Sequence, residues 1–149
     1  MLLKKAERRF RLRTSDYARL AAFRAAVREF LRFSEDAAAE AGLTAQHYQA
    51  MLILRACADD AEVTINELAR QLLIKHNSAV GLVDRLVREG LVVREASPAD
   101  RRRVVLRLSG RGRQVLAKLA GMHRRELERI GPLLKQLIAD VFREDGSGT

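Results

Sequence analysis

Two short helical patterns stand directly before two β-rich runs in the middle of the chain. The first pattern, "INELARQL", follows Thr64, and Glu67 stands at the spacing of a capping box, which opens a helix. The second begins near Asn77 or Ser78, continues through "AVGLVDRLVRE" and ends at Gly90, a residue that favours helix C-termini. Next come the runs "LVVREA" and "RVVLRL", and the turn residues of the intervening "SPADRR" predict a β-hairpin. A fold for this chain must therefore place a hairpin immediately after two short helices.

This order of elements is typical of a winged helix-turn-helix domain. In that domain the second short helix enters the major groove of DNA, and the hairpin, called the wing, lies along the backbone or in the minor groove. The run of three arginines at the tip of the predicted hairpin falls where a wing would meet DNA. We therefore expect a mainly α fold with a small β-hairpin wing.

Longer helical patterns flank this central segment. After Ser15, which has the side chain of an N-cap, apolar residues recur at three- and four-residue intervals until Gly42. Thr44 then caps a largely apolar helix, "AQHYQAMLILRACA". A last apolar stripe follows Ser109 and is interrupted at the Gly131-Pro132 pair, so we predict two helices at the end of the chain.

Positive charge is concentrated in the predicted helix-turn-helix and wing. The chain has a formal net charge of +9, and the segment from Thr64 to Arg113 holds 11 basic residues against 5 acidic ones, a surplus of six. The first 14 residues add six bases against Glu7 alone, whereas the segment from Ser15 to Val63 is net negative. A basic surface of this kind indicates a polyanionic partner, and nucleic acid is the first to test.

Length and composition argue against several other classes of protein. The 149 residues are expected to form one domain, residues 1–149, whose core needs no disulfide. No apolar run approaches the ~20 residues that span a bilayer, and the charged start lacks a signal peptide's apolar centre, so we expect a cytoplasmic protein without membrane contact. The lone Cys57 excludes a disulfide framework and a clustered-cysteine zinc site. Because the common nucleotide-binding, metalloprotease and hydrolase motifs are absent and the histidines lack metal-ligand spacing, we expect neither an enzyme nor a cofactor.

Several segments, taken in order, resemble one bacterial family. The segments "LTAQHYQAMLIL", "TINELARQL", "LVDRLVREGLVVRE" and "DRRRVVLRLSGRGRQVL" are similar to those of the MarR family (multiple antibiotic resistance regulators) of transcription factors, over about Leu43 to Leu116. The most specific pattern lies in the wing: an Asp, any residue, an Arg, five residues, then Leu and Thr or Ser. This sequence meets it with Asp100, Arg102, Leu108 and Ser109.

The resemblance implies a homodimeric regulator, a repressor in most members of the family. It implies a helical dimerisation region built from residues 15–42 and 111–143, and a DNA-binding region over residues 44–109 that docks on a pseudo-palindromic operator in double-stranded DNA. It also implies that a small organic effector releases the DNA. The chain departs from the family at Val80 and Gly81, where relatives often carry polar or basic residues, and it has Ser109 in place of the commoner Thr. These departures leave the operator sequence open.

The second short helix is the predicted recognition helix. Its inward stripe comprises Ala79, Leu82, Val83 and Leu86, and its outward positions comprise His76, Asn77, Val80, Gly81 and Asp84. Asn77 has the amide that pairs with adenine, Lys75 and His76 suit guanine or phosphate, and the methyl groups of Val80 suit a thymine methyl. Gly81 would let the helix backbone come close to DNA. For Asn77 and Ser78 a capping role is the structural alternative, and it is compatible with docking.

The wing and the arginines of the two short helices supply the remaining DNA-binding candidates. Arg102 is predicted to enter the minor groove, where a narrow A-tract concentrates negative potential. Asp100 either orients that arginine or closes the turn, and Arg101 and Arg103 would serve phosphates or solvent. Arg70, Arg85 and Arg88 are weaker phosphate candidates, with a plain surface role as the alternative. The predicted DNA-binding set is therefore Lys75, His76, Asn77, Ser78, Val80, Arg85, Asp100, Arg101, Arg102 and Arg103.

Two functional alternatives remain open at this point. A winged-helix module could use its basic face for a protein or for RNA, in which case its affinity for duplex DNA would be weak and independent of sequence. A thiol switch could act through Cys57, although a cysteine late in a buried helix usually behaves as a small hydrophobic side chain. Ligand roles for His47, Tyr48 and His123 compete with structural ones.

Overall fold

The chain folds, in a computed structural model that describes residues 12–59 and 61–143, into five helices and one two-stranded sheet. The helices are α1 (Thr14–Glu40), α2 (Ala45–Ala56), α3 (Ile65–Leu72), α4 (His76–Arg88) and α5 (Gly110–Val141). The strands are β1 (Val92–Ala96) and β2 (Val104–Leu108). The predicted mainly α fold with a hairpin wing is confirmed. Most of the basic start of the chain lies outside the described residues, and no helix within them is long and apolar enough to cross a membrane.

Local hydrogen bonds explain where the helices begin and end. The Thr44 hydroxyl accepts the backbone N–H of His47, and the His47 ring accepts the N–H of Thr44, so the two residues form a reciprocal capping box at α2. The Thr64 hydroxyl accepts the N–H of Glu67 and caps α3, but the Glu67 carboxylate bonds Arg70 and Gln71, so only half of the predicted capping box forms. Gly42 and Gly90 take the positive φ angles of 72° and 70° that end α1 and α4. The predicted caps at Thr44 and Thr64 and the predicted helix ends at Gly42 and Gly90 are confirmed.

Two predicted helix starts are wrong by one or two residues. α1 begins at Thr14, and the carboxylate of Asp16 accepts the N–H of Arg13 at 2.8 Å, so the cap position falls on Arg13 and not on Ser15. α4 begins at His76, with Lys75 at the N-cap and no side-chain cap. Asn77 and Ser78 therefore lie in the first turn and do not cap it. The cause is the short connection from α3, in which Leu73 adopts a left-handed conformation (φ 56°, ψ 39°) that turns the chain within three residues.

The predicted break at Gly131-Pro132 is also wrong. α5 continues through Pro132 as one helix of 32 residues. A proline inside a helix removes one backbone hydrogen bond and crowds the preceding turn. The apolar stripe runs on across Pro132, with Ile130 buried before it, so side-chain packing on that stripe offsets the local cost.

The described residues divide into two compact units: residues 33–124, here called the winged unit, and residues 12–32 with 125–143, here called the terminal unit. The core of the winged unit is contiguous and includes Met51 and Leu54 of α2, Leu68 of α3 and Leu106 of β2. All four residues of the predicted inward stripe of α4 are buried in the winged unit: Ala79, Leu82, Val83 and Leu86. The 3.6-residue period of this stripe therefore fixes which face of α4 remains outside.

The wing is an antiparallel hairpin that the segment before α3 extends. β1 pairs with β2 in a register that sets Val92 opposite Leu108 and Ala96 opposite Val104. On the other side of β2, the N–H of Leu106 donates to the carbonyl of Val63 at 2.8 Å. This bond ties the base of the wing to the residues that lead into α3.

Candidate nucleic-acid interface

The turn between α3 and α4 sets the exposed face of the recognition helix. α4 packs against α3 and β1, which leaves His76, Asn77, Gly81 and Asp84 exposed and Val80 half-buried. The side chains of Lys75, Asn77 and Ser78 have no hydrogen-bonding partner in the described part of the chain. The first turn of α4 therefore presents an ammonium, an amide and a hydroxyl whose hydrogen-bonding capacity is not used within the chain.

His76 differs from its neighbours because a second residue holds its ring. Nδ1 of His76 lies 2.6 Å from Oδ1 of Asn66, which stands in the first turn of α3. Sequence reasoning missed Asn66. An asparagine two residues after a helix cap carries no signal that it will meet a residue ten positions further along the chain.

The tip of the wing is organised around one buried hydroxyl. Ser97 is 1% exposed, and its Oγ lies 2.6 and 2.7 Å from the two carboxylate oxygens of Glu62. The same oxygen accepts the backbone N–H groups of Ala99 and Asp100, each at 3.1 Å. Because the hydroxyl donates its proton to the carboxylate while its lone pairs accept from the turn, Ser97 anchors the turn to the segment before α3.

Asp100 closes the turn that carries the arginines. Its side chain accepts the backbone N–H of Arg102 at 3.0 Å, and its carbonyl accepts the N–H of Arg103 at 2.9 Å. Of the two roles predicted for Asp100, the structure shows turn closure. These two bonds stabilise the turn at the tip of the wing.

The three consecutive arginines divide into two groups. Arg101 and Arg102 are exposed, and their side chains make no ion pair or hydrogen bond with any described residue. Arg103 points back to the body of the winged unit, where its guanidinium lies 3.7 Å from Glu62. The predicted alternation of Arg102 with Arg101 and Arg103 along an extended strand is wrong, because the three arginines lie in the turn before β2 begins at Val104.

The two arginines on the strands of the wing are paired with acids. Arg94 of β1 forms an ion pair with Asp84 of α4, which links the wing to the recognition helix. Within the wing, Arg107 lies 3.0 Å from Glu95 across the two strands. These pairs neutralise positive charge along the hairpin and leave it at the tip.

Arg85 and Arg70 are also held by the protein. Arg85 lies 3.1 Å from Glu89 and 3.4 Å from the carbonyl of Gly42, so its guanidinium turns toward the winged unit. Arg70 makes two hydrogen bonds to the carboxylate of Glu67. The bonds from Arg70, and then from Gln71, lower the pKa of Glu67 to about 2.

The aromatic and histidine residues considered for a ligand are used inside the winged unit. The ring of His123 stacks on Tyr48 at a centroid distance of 4.0 Å, and its nitrogens lie 2.8 Å from Ser34 Oγ and 2.7 Å from the Leu119 carbonyl. Burial raises the pKa of Tyr48. His47 serves the capping box of α2. These contacts are those of structural residues.

Cys57 is half-buried at the C-cap of α2, where its N–H donates to the carbonyl of Ile53. Across the described ranges, no three or more histidine, cysteine, aspartate or glutamate residues are grouped in a way that could hold a metal ion.

The order α3, turn, α4 and hairpin defines a winged helix-turn-helix protein. The MarR family profile matches residues 41–103, which include the turn, α4, and the first strand and tip of the wing. The chain belongs to the MarR family. It is 32% identical to a solved structure, transcriptional regulator PA4135, with a TM-score of 0.64, over 82% of this chain and 85% of that one.

Two further relatives extend the comparison. The chain is 32% identical over 80 residues to the HTH-type transcriptional regulator FarR of Neisseria gonorrhoeae. These 80 residues make up 54% of this chain and 53% of that protein. The chain spans about half the length of the curated relatives it matches. A solved structure of the transcriptional repressor CouR, bound to a 23-mer DNA duplex, is 27% identical with a TM-score of 0.62, over 82% of this chain and 90% of that one.

Proposed function

We propose that this protein is a homodimeric transcription regulator of the bacterial cytoplasm, and not an enzyme, that represses by binding a pseudo-palindromic operator in double-stranded DNA. In this proposal α4 of each subunit enters the major groove and the tip of each wing enters the adjacent minor groove. Family membership and the solved complex of CouR with duplex DNA support the assignment.

The observation that carries the proposal is the selective pairing of charge on the winged unit. Arg94, Arg103 and Arg107 are neutralised by acids of the protein, whereas Lys75 and the tip arginines Arg101 and Arg102 are left without a partner among the described residues. An exposed cation that meets no acid is available to a phosphate. These three unpaired charges lie at the start of α4 and at the tip of the wing, the two places at which a winged domain touches DNA. Arg88 at the end of α4, and Arg111 and Lys118 of α5, also lack an acidic partner among the described residues.

The proposed contacts on the recognition helix divide by chemistry. Asn77 would pair with an adenine edge, and the half-buried Val80 would meet a thymine methyl. Lys75 and Ser78 would hold phosphates at the start of the helix, where the helix dipole also favours an anion. Arg85, whose guanidinium is paired with Glu89, would need to exchange that partner before it could reach DNA.

On the wing, Arg102 would insert its guanidinium into the minor groove and Arg101 would meet the backbone. Arg103 would act indirectly, since its ion pair with Glu62 helps to hold the tip. Asp100 would keep Arg102 in place through the turn that it closes.

Homodimerisation is proposed from the terminal unit. This unit leaves large apolar side chains exposed: Tyr17, Leu20, Leu31, Leu127, Leu133, Ile138 and Phe142. A second copy would cover these residues and remove their apolar surface from water. Such a dimer would have to place its two recognition helices about one DNA turn apart, ~34 Å, to reach both half-sites.

Release by a small organic effector is the last part of the proposal. The winged unit contains a cavity of about 280 Å³ whose lining includes apolar Leu54 and Val105 together with Arg107 and Arg113. This volume is at the small end of ligand pockets. An effector would act only through a difference in affinity between the DNA-bound and free conformations.

The proposal is tested by fluorescence-anisotropy titration with duplexes from the protein's own upstream region and with scrambled duplexes, at several salt concentrations. We expect the specific duplex to bind about 10³-fold or more tightly than the scrambled one, and both affinities to fall as salt rises. Equal and weak binding of both duplexes by folded protein would contradict the proposal and favour a protein or RNA partner.

Two variants sharpen this test. Arg102→Ala should weaken operator binding roughly tenfold or more, whereas Arg55→Ala, which removes the same charge from the exposed face of α2, should change it little. Sedimentation should show the same dimer for both. Normal operator binding by Arg102→Ala would refute the assignment of the wing.

A thiol switch is tested separately. If an oxidant changes operator binding by the wild type and Cys57→Ser abolishes that change, a thiol switch is favoured.

A further inference from the structure

We propose that Asn66 selects the tautomer of His76, so that His76 offers a hydrogen-bond acceptor to DNA and reads the amino group of an adenine or a cytosine. This inference rests on the proposed function. It adds a residue of α3, outside the recognition helix, to the determinants of operator specificity.

The geometry of one contact carries the argument. Oδ1 of Asn66 lies 2.6 Å from Nδ1 of His76. An amide oxygen has lone pairs but no proton, so the hydrogen of this bond must be on Nδ1. A neutral imidazole has only one N–H group. In the neutral ring Nε2 of His76 therefore carries a lone pair, and it has no partner among the described residues.

An acceptor at this place discriminates between bases. In the major groove the hydrogen-bond donors are the N6 amino group of adenine and the N4 amino group of cytosine, whereas guanine presents only acceptors and thymine an acceptor and a methyl group. A lone pair on Nε2 is attracted to the first two bases and repelled by the acceptors of guanine. The sequence alone suggests guanine or phosphate for His76, and both of these would need a proton on Nε2.

The position of the pair suits this role. His76 is the first residue of α4 and is exposed, and the N-terminal part of a recognition helix is the part that contacts base edges. Asn66 restricts the ring from the neighbouring helix without covering it. A ring that could rotate and exchange tautomers freely would accept either a donor or an acceptor and would discriminate less.

The tautomer is measured first, without DNA. Long-range ¹H–¹⁵N correlation spectra of uniformly labelled protein, at about pH 8 where an ordinary histidine is neutral, distinguish a protonated Nδ1 from a protonated Nε2. His76→Ala assigns the signal. We expect wild-type His76 to be protonated on Nδ1 and Asn66→Ala to show a mixture of the two forms. A wild-type ring protonated on Nε2 would overturn the inference.

The base preference is measured next, by anisotropy titration of the full chain against the operator and its single-base-pair variants. Replacing the adenine or cytosine that His76 reads should weaken wild-type binding roughly tenfold. His76→Ala and Asn66→Ala should each lose most of this discrimination at the same base pair. The double variant should lose no more than His76→Ala alone, because the two residues act through one contact.

A conservative variant separates positioning from support of the fold. Asn66→Asp keeps an acceptor for Nδ1–H, so at about pH 8, where an ordinary histidine is neutral, it should retain the base preference even though its added negative charge weakens binding to every duplex. Asn66→Ala should unfold at nearly the wild-type temperature while losing the preference. If the base profile of Asn66→Ala matches wild type although the operator is still preferred over a scrambled duplex, this inference alone fails. If no duplex is preferred, the proposed function fails as well.

Discussion

Gly112 and Leu91 approach so closely that a side chain on Gly112 would overlap the Leu91 carbonyl oxygen. A Cβ atom there would also lie 2.9 Å from the carbonyl carbon and 3.3 Å from the Cα of Leu91. Beside this contact, Ser109 donates its hydroxyl proton to the carbonyl of Gly90 at 2.6 Å and accepts the N–H of Gly112 at 2.9 Å. The first turn of α5 is thereby held against the turn that leads from the recognition helix into the wing.

Gly112→Ala should destabilise the protein by about 2 kcal/mol or more, because the atoms in the way belong to the backbone and cannot move aside as a side chain would. The measurement is the free energy of unfolding in urea. Gly121→Ala is the matched control: nothing lies within 4 Å of its new Cβ, so it should stabilise α5 by up to ~1 kcal/mol. Equal stability of the two variants would mean that the close approach of Gly112 to Leu91 is not maintained in solution.

Gly81→Ala should raise stability and lower operator affinity at the same time. Gly81 is an exposed residue inside α4 with nothing within 4 Å of a new Cβ, so alanine should stabilise the helix by about 1 kcal/mol. In the proposed complex the same methyl group would stand between the helix backbone and the DNA. Urea unfolding and anisotropy titration of one preparation give both values, with Gly121→Ala as the control that gains stability without losing affinity. An undiminished affinity of Gly81→Ala would show that the backbone of α4 does not approach DNA at this residue.

Ser97→Ala should loosen the tip of the wing. The change removes the donor to the Glu62 carboxylate and the acceptor for two backbone N–H groups, and the loss of such buried bonds costs about 1–3 kcal/mol. We expect a lower free energy of unfolding and weaker operator binding with an unchanged dimer. Ser78→Ala removes a hydroxyl without a partner among the described residues and should change stability by less than ~0.5 kcal/mol. A Ser97→Ala variant as stable as Ser78→Ala would contradict the anchoring role.

His47 should make the winged unit sensitive to acid. Burial, and then the charge of Arg85, lower the pKa of His47 from 6.5. In the same direction, its Nδ1 accepts the N–H of Thr44 at 3.0 Å, and it can do so only while it carries no proton. Because the pKa is lower in the folded chain, the unfolded chain takes up the proton first. The free energy of unfolding should therefore fall as the pH drops below about 6.5.

His47→Gln tests this dependence, since glutamine keeps the acceptor of the capping box and does not titrate. Urea unfolding between about pH 7.5 and pH 5 should show a shallower loss of stability for His47→Gln than for wild type. His47→Ala should lose the cap as well and be less stable by about 1 kcal/mol throughout. Parallel wild-type and His47→Gln curves would show that another group causes the loss.

Periodicity and turn chemistry allowed much of the fold to be predicted from the sequence. The buried stripe of α4, the caps at Thr44 and Thr64, the glycines that end α1 and α4, and the hairpin are confirmed because each depends on residues a few positions apart. The same local reasoning failed at Pro132, where a proline that would end an isolated helix lies inside α5. It also failed at the start of α4, which the left-handed Leu73 sets.

The sequence by itself therefore determined the order of the elements, the faces that they bury and the concentration of basic residues in the winged unit. Only the tertiary structure decided which polar side chains meet. Ser97 reaches Glu62 across 35 positions, Asn66 holds His76 across ten, and Asp84 takes up the charge of Arg94. Such pairs depend on the docking of whole elements, which local propensity does not encode. The distinction between the paired arginines and the unpaired ones at the tip of the wing follows from that docking.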